Sequence, residues 1–137
     1  SVAHYGSSQR YALGLLTNGL GTLGGLWTKI LPSRSPAQLS AVLEALARVG
    51  PYYLKPIDQL LLQEKRHLPS GLTIVLVTGI ANQEMVVALR EMARVGHRVA
   101  LLHVGDGHVP GDTQGITVHR LGRVLDRWFD AYGPKSA

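Results

Sequence analysis

The sequence predicts a mixed α/β domain of three layers, built on a mostly parallel sheet. Residues 71–78 are almost wholly apolar and β-branched, which is typical of a strand covered on both faces. Residues 98–104 indicate another buried strand. Amphipathic helical patterns alternate with these strands along the chain. Because parallel strands need crossover connections, the alternation favours right-handed crossovers with helices on both sides of the sheet. We expect one domain over residues 1–137.

Composition and charge narrow the class of protein. The 137 residues are 45% hydrophobic and 17% charged, which is typical of a globular domain. The sequence has no cysteine, which excludes disulfides and thiolate metal sites. The net charge is +5, but the basic residues are scattered and few aromatic residues lie between them. We therefore expect a solvated basic surface and no specific nucleic-acid binding. No apolar run reaches the roughly 18–20 residues that a membrane span needs.

The first part of the chain predicts two strands and a helix. Apolar runs at residues 10–17 and 26–31 indicate strands that pair as an edge hairpin. Residues 35–50 have apolar side chains at helical spacing, and Ser35 and Gln38 match a capping box at the helix start.

The second part of the chain predicts the alternating core. A helix begins at Pro56, with residues 63–66 facing solvent. Asn82 caps a further helix that Gly96 ends, and a short strand covers residues 116–121. A final helix presents a row of apolar and aromatic side chains: Val124, Leu125, Trp128, Phe129 and Tyr132.

A glycine-rich segment raises the possibility of a nucleotide site. Gly19, Gly21 and Gly24 match G-x-G-x-x-G directly after a predicted strand. The motif needs a following helix to hold the pyrophosphate, whereas the next residues end at Pro32 after a poor helical pattern. The first carboxylate, Glu44, also lies too far along the chain. A flexible hairpin loop over residues 19–25 explains the glycines more simply.

The loop after the strand at residues 98–104 offers imidazoles and carboxylates. His103, Asp106 and His108 form a weak alternative metal set, with Asp112 nearby. Against a metal, His103 fits the apolar strand pattern as a satisfied core residue. The sequence has no G-x-S-x-G and no cysteine nucleophile, and His97 fits a surface turn. We expect no catalytic residues and no enzyme activity, no metal and no cofactor.

Five segments together resemble a known family. The order and spacing of residues 11–17, 30–39, 42–48, 73–78 and 96–103 are similar to those of the bacterial "domain of unknown function fifty-eight" proteins. The shared part of that family resembles a von Willebrand factor A domain, and the likeness covers residues 2–121. The resemblance implies a Rossmann-like sheet carrying a metal-ion-dependent adhesion site.

The resemblance also implies that this adhesion site is degenerate. The sequence contains no D-x-S-x-S, Lys55 stands where a threonine is expected, and Thr78 and Gly79 stand where an aspartate would follow. The first, central strand of the family should precede Val2, so we expect the later part of a truncated domain. The strands at residues 10–17 and 71–78 would then close on each other, or a second chain would fill the gap as in a homodimer.

The resulting functional expectation is a non-enzymatic protein–protein interaction or scaffold module. By resemblance its partner is a MoxR-type ATPase, and the domain is the cytoplasmic part of a longer, membrane-anchored bacterial protein. The alternative is a small-molecule- or nucleotide-binding enzyme domain that uses residues 19–25 or 103–112. Five residues in loops at the carboxyl ends of strands are the candidate binding residues: Asn18, Lys55, Thr78, Asn82 and Asp106.

Overall fold

The protein has a mixed α/β fold, as predicted. The computed structural model describes residues 2–9, 11–21, 28–53 and 55–122, together with 127 and 131. The chain divides into two compact units, Ser1–Leu60 and Leu61–Ala137. In the described ranges, no helix is long and apolar enough to cross a lipid bilayer. The predicted final helix lies outside the described residues, and the extent of a single domain stays a prediction.

The first unit contains two small antiparallel sheets. In one, β1 pairs with β3, which confirms the predicted pairing of the first two strands; in the other, β2 pairs with β4. The sequence indicated neither β2 nor β4, and residues 49 and 50 are extended where the helical pattern was expected to continue. The elements of this unit are α1 (Val2–Ser8), β1 (Leu13–Thr17), β2 (Gly19–Gly21), β3 (Thr28–Ser33), α2 (Gln38–Ala47) and β4 (Val49–Tyr53).

Helix α2 begins later than the predicted capping box. Its N-cap residue is Ala37, which makes no side-chain capping bond. Gln38 is used elsewhere, because its Nε2 donates to the carbonyl oxygens of Leu13 at 2.6 Å and Leu31 at 2.8 Å. The capping-box prediction is therefore wrong, and Gln38 joins the helix start to β1 and β3 instead.

The second unit contains a parallel three-stranded sheet in the order β5–β6–β7. Its strands confirm the three predicted in this part of the chain, with ends that differ by a few residues. Helix α3 (Ile57–Glu64) enters this unit at Leu61. The elements that follow it are a 3₁₀ turn (Lys65–His67), β5 (Thr73–Thr78), α4 (Gln83–Arg94), β6 (Arg98–His103) and β7 (Thr117–Arg120). Helix α4 ends at Arg94, and the predicted Gly96 follows two residues later with a φ of 105°, which favours glycine.

The core of the second unit lies on one face of this sheet. Helix α4 buries Val86, Leu89 and Met92 there. They lie in one cluster with Val99 and Leu101 of β6. Loop residues also pack on this face, because Val109 is buried in the same cluster.

On the opposite face of the sheet, the described side chains of β5 are exposed. Along β5 the side chains alternate, with Ile74 and Leu76 packed against the core while Val75 and Val77 are 37% and 55% exposed. The prediction that this strand is covered on both faces is therefore wrong for the described residues. Strand β5 lies at one edge of the three-stranded sheet.

Two further expectations are corrected by burial. Glu64 is only 6% exposed, although residues 63–66 were predicted to face solvent. His97 is 8% exposed rather than a surface turn residue. Its Nδ1 accepts a hydrogen bond from the Leu72 backbone N–H at 3.0 Å, which ties the end of α4 to the start of β5.

The strands at residues 10–17 and 71–78 were expected to pair directly with each other, but the described strand pairs do not include this pairing. Strand β1 pairs with β3, and β5 pairs with β6, each within its own unit. Strand β1 pairs along one edge with β3, a near neighbour in sequence. The outer edge of β5 has no partner strand in the described parts of the chain.

Candidate functional site

The carboxyl edge of the parallel sheet is built from three loops in close contact. A Cβ atom placed on Gly105 would collide with the carbonyl oxygen of Gly79. A Cβ on Gly122 would lie 2.9 Å from the Gly105 carbonyl oxygen and 3.2 Å from Oδ1 of Asp106. Glycine is needed at both positions because backbone passes directly over backbone. The loops after β5, β6 and β7 thus form one packed platform, which we call the carboxyl-edge platform.

Ile80 is the most exposed large apolar side chain on this platform, at 79%. Its backbone is held by Thr78, whose Oγ1 donates to the Ile80 carbonyl at 2.8 Å and accepts from the Ile80 N–H at 3.3 Å. Thr78 was a predicted binding residue, and its hydroxyl is used within the turn. The turn therefore presents Ile80 to solvent in a held conformation.

Asn82 is the N-cap of α4, as predicted. Its Oδ1 accepts a hydrogen bond from the Met85 N–H at 2.8 Å. This capping bond occupies the side-chain oxygen of a residue that was also a candidate for binding. The residue as a whole is exposed.

Removing this cap provides a direct test of its structural role. We expect Asn82→Ala to lower the free energy of unfolding by about 1 kcal/mol, because one backbone N–H at the helix start loses its partner. Asn82→Ser should retain most of the stability, since serine also caps well. Urea denaturation of the three proteins measures the effect, and equal midpoints for the alanine and asparagine forms would contradict the assignment.

His103 ends β6 beneath the same platform and is 1% exposed. Neither of its ring nitrogens has a hydrogen-bond partner in the described structure. The burial agrees with the sequence prediction, but the prediction of a satisfied histidine is wrong in the described ranges. The ring lies under the loop after β6, because a Cβ on Gly107 would be 4.0 Å from its Cε1.

The alternative metal set is not assembled. Asp106 and His108 are exposed, whereas His103 is buried. Among residues that the structure describes, no group of three histidine or acidic side chains is placed to hold a metal ion. Asp106 remains on the platform as an exposed carboxylate near Gly122.

The other two candidate residues meet within the first unit. Asn18 Nδ2 donates to the Lys55 carbonyl oxygen at 2.9 Å, across 37 residues of sequence. The structure thus brings Asn18 and Lys55 together, and it brings Thr78, Asn82 and Asp106 to one sheet edge in the second unit. The predicted binding residues form two separate groups, one in each unit.

The glycine motif begins in a strand rather than in a loop. Gly19 and Gly21 lie in β2, paired with β4. A Cβ on Gly19 would collide with Val49 Cγ1, so close packing between these strands explains the first glycine. The prediction of a flexible loop is therefore wrong for residues 19–21. Gly24 and Gly25 lie outside the described residues.

A charged cluster on α4 borders a shallow groove of about 720 Å³. Glu91 accepts hydrogen bonds from Arg94 at 2.6 Å and Lys65 at 2.7 Å. Arg94 lies three residues after Glu91, on the same side of the helix. The hydrogen bonds from Arg94, and next those from Lys65, lower the pKa of Glu91 from 4.5 to about 2. The groove runs past Leu62, Val87 and Arg90.

The lowered pKa of Glu91 predicts a pH-dependent contribution to stability. Because the folded-state pKa is depressed, the contribution is complete above pH 4.5 and is lost as the pH falls toward about 2. The wild type should therefore be more stable than Glu91→Gln near neutral pH, and this difference should shrink as the pH falls from 4.5 toward about 2. Urea unfolding of both proteins at a series of pH values measures the difference. High salt should shrink the difference, and a difference that is constant with pH would contradict the assignment.

These features define the class of protein as mixed α/β, with a parallel three-stranded sheet in the second unit and a packed platform at its carboxyl edge. No protein-family model, characterised protein or solved structure gives a significant match to the chain.

Proposed function

We propose that the chain is a non-enzymatic protein–protein interaction module that binds through the carboxyl-edge platform. The observation that carries this proposal is the exposure of Ile80 in a turn held by Thr78. A large apolar side chain that is already held in place loses little conformational freedom when a partner covers it. Such side chains are suited to anchor an interface.

Polar groups around Ile80 support binding to a protein surface. Asp106 and His108 are exposed on the next loop, and Asn82 lies two residues after Ile80. Apolar centres surrounded by polar groups are the usual arrangement of protein interfaces. The packing of Gly105 against Gly79 keeps the loops together, so the surface is largely formed before a partner arrives.

The resemblance to the "domain of unknown function fifty-eight" family supplies the finer proposal. On that basis the module is a von Willebrand factor A-like domain with a degenerate adhesion site, and its partner is a MoxR-type ATPase. The domain would belong to the cytoplasmic part of a membrane-anchored bacterial protein. The lysine at position 55 supports the degenerate site, because an ammonium group disfavours a divalent cation that needs oxygen ligands.

Calorimetric titration with a purified MoxR-type ATPase from the same genome tests the proposal. We expect Ile80→Asp to weaken binding by at least about tenfold, because a carboxylate replaces the apolar anchor. Val87→Asp is the matched control, since Val87 is 57% exposed on the outer side of α4 and its change should leave affinity unaltered. Equal affinity of the wild type and Ile80→Asp for the ATPase would contradict binding through the carboxyl-edge platform. A melting temperature raised by nucleotides or divalent ions would instead favour the enzyme alternative.

A further inference from the structure

Two of the six histidines are buried, and both belong to the second unit. The other four are exposed: His4, His67, His108 and His119. His103 is 1% exposed, and its ring nitrogens have no hydrogen-bond partner in the described structure. His97 is 8% exposed, and its Nδ1 accepts a hydrogen bond from the Leu72 backbone N–H at 3.0 Å. The protonation state of His97 therefore decides whether this bond can exist.

The bond from Leu72 requires the neutral form of the His97 ring. An imidazole nitrogen accepts a hydrogen bond only while it carries a lone pair. Because Nδ1 is the acceptor, the neutral ring carries its single proton on Nε2. A second proton would bind to Nδ1 and make it a donor, so that two N–H groups would face each other. Protonation of the ring therefore breaks this hydrogen bond.

The same bond takes the place of a rung in the β5–β6 ladder. In a parallel pair of strands, the N–H and C=O groups of a paired residue both bond to the neighbouring strand. The Leu72 carbonyl does so, since it accepts from the Arg98 N–H at 2.9 Å. The Leu72 N–H bonds instead to the ring of His97. One side chain thus holds the start of β5 against the segment between α4 and β6.

The acidic side chains on the elements that border this end of the unit already have partners. Glu91 of α4 accepts hydrogen bonds from two cationic side chains. Asp112, in the loop that contacts α4 through Gly115, lies 3.3 Å from Arg90. Glu64 of α3 has an interaction of its own. None of these three carboxylates is placed to replace the Leu72 bond with a free ion pair.

The other charged groups on these elements are cations or histidine. Residues 69–78, which contain the turn before β5 and the strand itself, carry no charge. The 3₁₀ turn, the end of α4 and the start of β6 supply the rest: Lys65, Arg66, His67, Arg94 and Arg98. A proton on His97 would add positive charge to a buried ring among these groups, which opposes the closed arrangement.

We propose that His97 is a pH-operated latch, in which the neutral ring holds the start of β5 and the protonated ring releases it. Release frees the turn at residues 69–72, while the core cluster around Leu89 and Leu101 stays packed. Imidazole side chains ordinarily take up a proton near about pH 6.5, so the latch responds to mild acid. This range lies above the window from pH 4.5 to about 2 in which Glu91 acts. The inference does not rest on the carboxyl-edge platform.

Nuclear magnetic resonance of the full chain tests the latch without any substitution. At about pH 7.5 the ring of His97 should carry its proton on Nε2, and at about pH 5 it should carry protons on both nitrogens. Between these pH values the protection factor of the Leu72 amide, measured against an unstructured chain at the same pH, should fall at least about tenfold. The amide of Leu101 should keep its protection, because the core stays packed.

Replacing His97 by asparagine isolates the effect of the proton. The amide oxygen of asparagine can accept in place of Nδ1 but does not titrate, so His97→Asn should protect the Leu72 amide equally at both pH values. His67→Asn is the matched control, since His67 is exposed in the nearby 3₁₀ turn. This variant should lose protection at Leu72 in acid as the wild type does. Circular dichroism checks the folding of both variants.

Three results would overturn the proposal. The first is a His97 ring that carries its proton on Nδ1 at about pH 7.5, or that stays neutral at about pH 5. The second is a protonated ring with an unchanged Leu72 amide. The third is loss of Leu72 protection in acid in His97→Asn, because another group would then control the turn. The ring signals of His103, followed in the same spectra, show whether that group is the second buried histidine.

Discussion

Replacing Leu89 by alanine is expected to lower the free energy of unfolding of the second unit by about 3 kcal/mol. Leu89 is 0% exposed and lies in the cluster that joins α4 to β6. The substitution removes buried methyl groups and leaves a cavity that Val86, Met92 and Leu101 fill only in part. Chemical denaturation followed by circular dichroism measures the loss.

Val87→Ala is the matched control for this prediction. Val87 lies on the same helix but is 57% exposed, so its truncation should change stability by less than about 0.5 kcal/mol. A small effect at Leu89, or similar effects at the two positions, would mean that α4 does not cover the parallel sheet through this face.

The second large effect is expected at Gly105. An alanine there would place its Cβ against the Gly79 carbonyl oxygen, with the Gly79 carbonyl carbon at 3.0 Å. Because both partners are backbone, the strain cannot be relieved by a side-chain rotation, and the loops after β5 and β6 must separate. We expect a loss of about 1–3 kcal/mol in stability, together with weaker binding at the carboxyl-edge platform.

Gly79→Ala separates this steric effect from any general cost of replacing glycine. A Cβ on Gly79 would have no heavy atom within 4 Å, and neither glycine has a positive φ. We expect Gly79→Ala to leave the melting temperature nearly unchanged. If both substitutions were equally tolerated, the two loops would not be in contact as the structure places them.

Local signals explain why much of the second unit could be predicted. The apolar run ending at Thr78 and the apolar spacing between Asn82 and Gly96 are complete within a short window of sequence. Asn82 caps the helix by accepting a hydrogen bond from Met85, three residues along the chain, and glycine at position 96 permits the positive φ found there. Such elements need no knowledge of their tertiary neighbours.

The missed features depend on distant contacts. The pairing of β2 with β4 joins Gly19 to Tyr53, and neither short segment has a distinctive pattern. His97 was expected in a surface turn because nothing nearby in sequence reveals its bond to Leu72. The exposure of Val75 and Val77 was also missed, since an apolar strand reads the same whether one or both faces are covered.

The candidate site was predicted in part. Thr78, Asn82 and Asp106 do meet at one edge, because parallel strands deliver their carboxyl ends to the same side. Ile80 was missed, since an exposed isoleucine in a turn cannot be distinguished from a buried one by composition. The Thr78 hydrogen bonds that hold its backbone have no signature in the sequence.

The carboxyl-edge platform depends on the parallel pairing of β5, β6 and β7. Cross-strand nuclear Overhauser effects in the isotope-labelled full chain test that pairing most directly. The structure predicts that Thr73 lies beside Arg98 and Thr78 beside His103, with His103 next to Arg120. An antiparallel arrangement would instead bring Thr73 beside His103. Contacts of that second kind would contradict the account, because the three loops would then no longer share one edge.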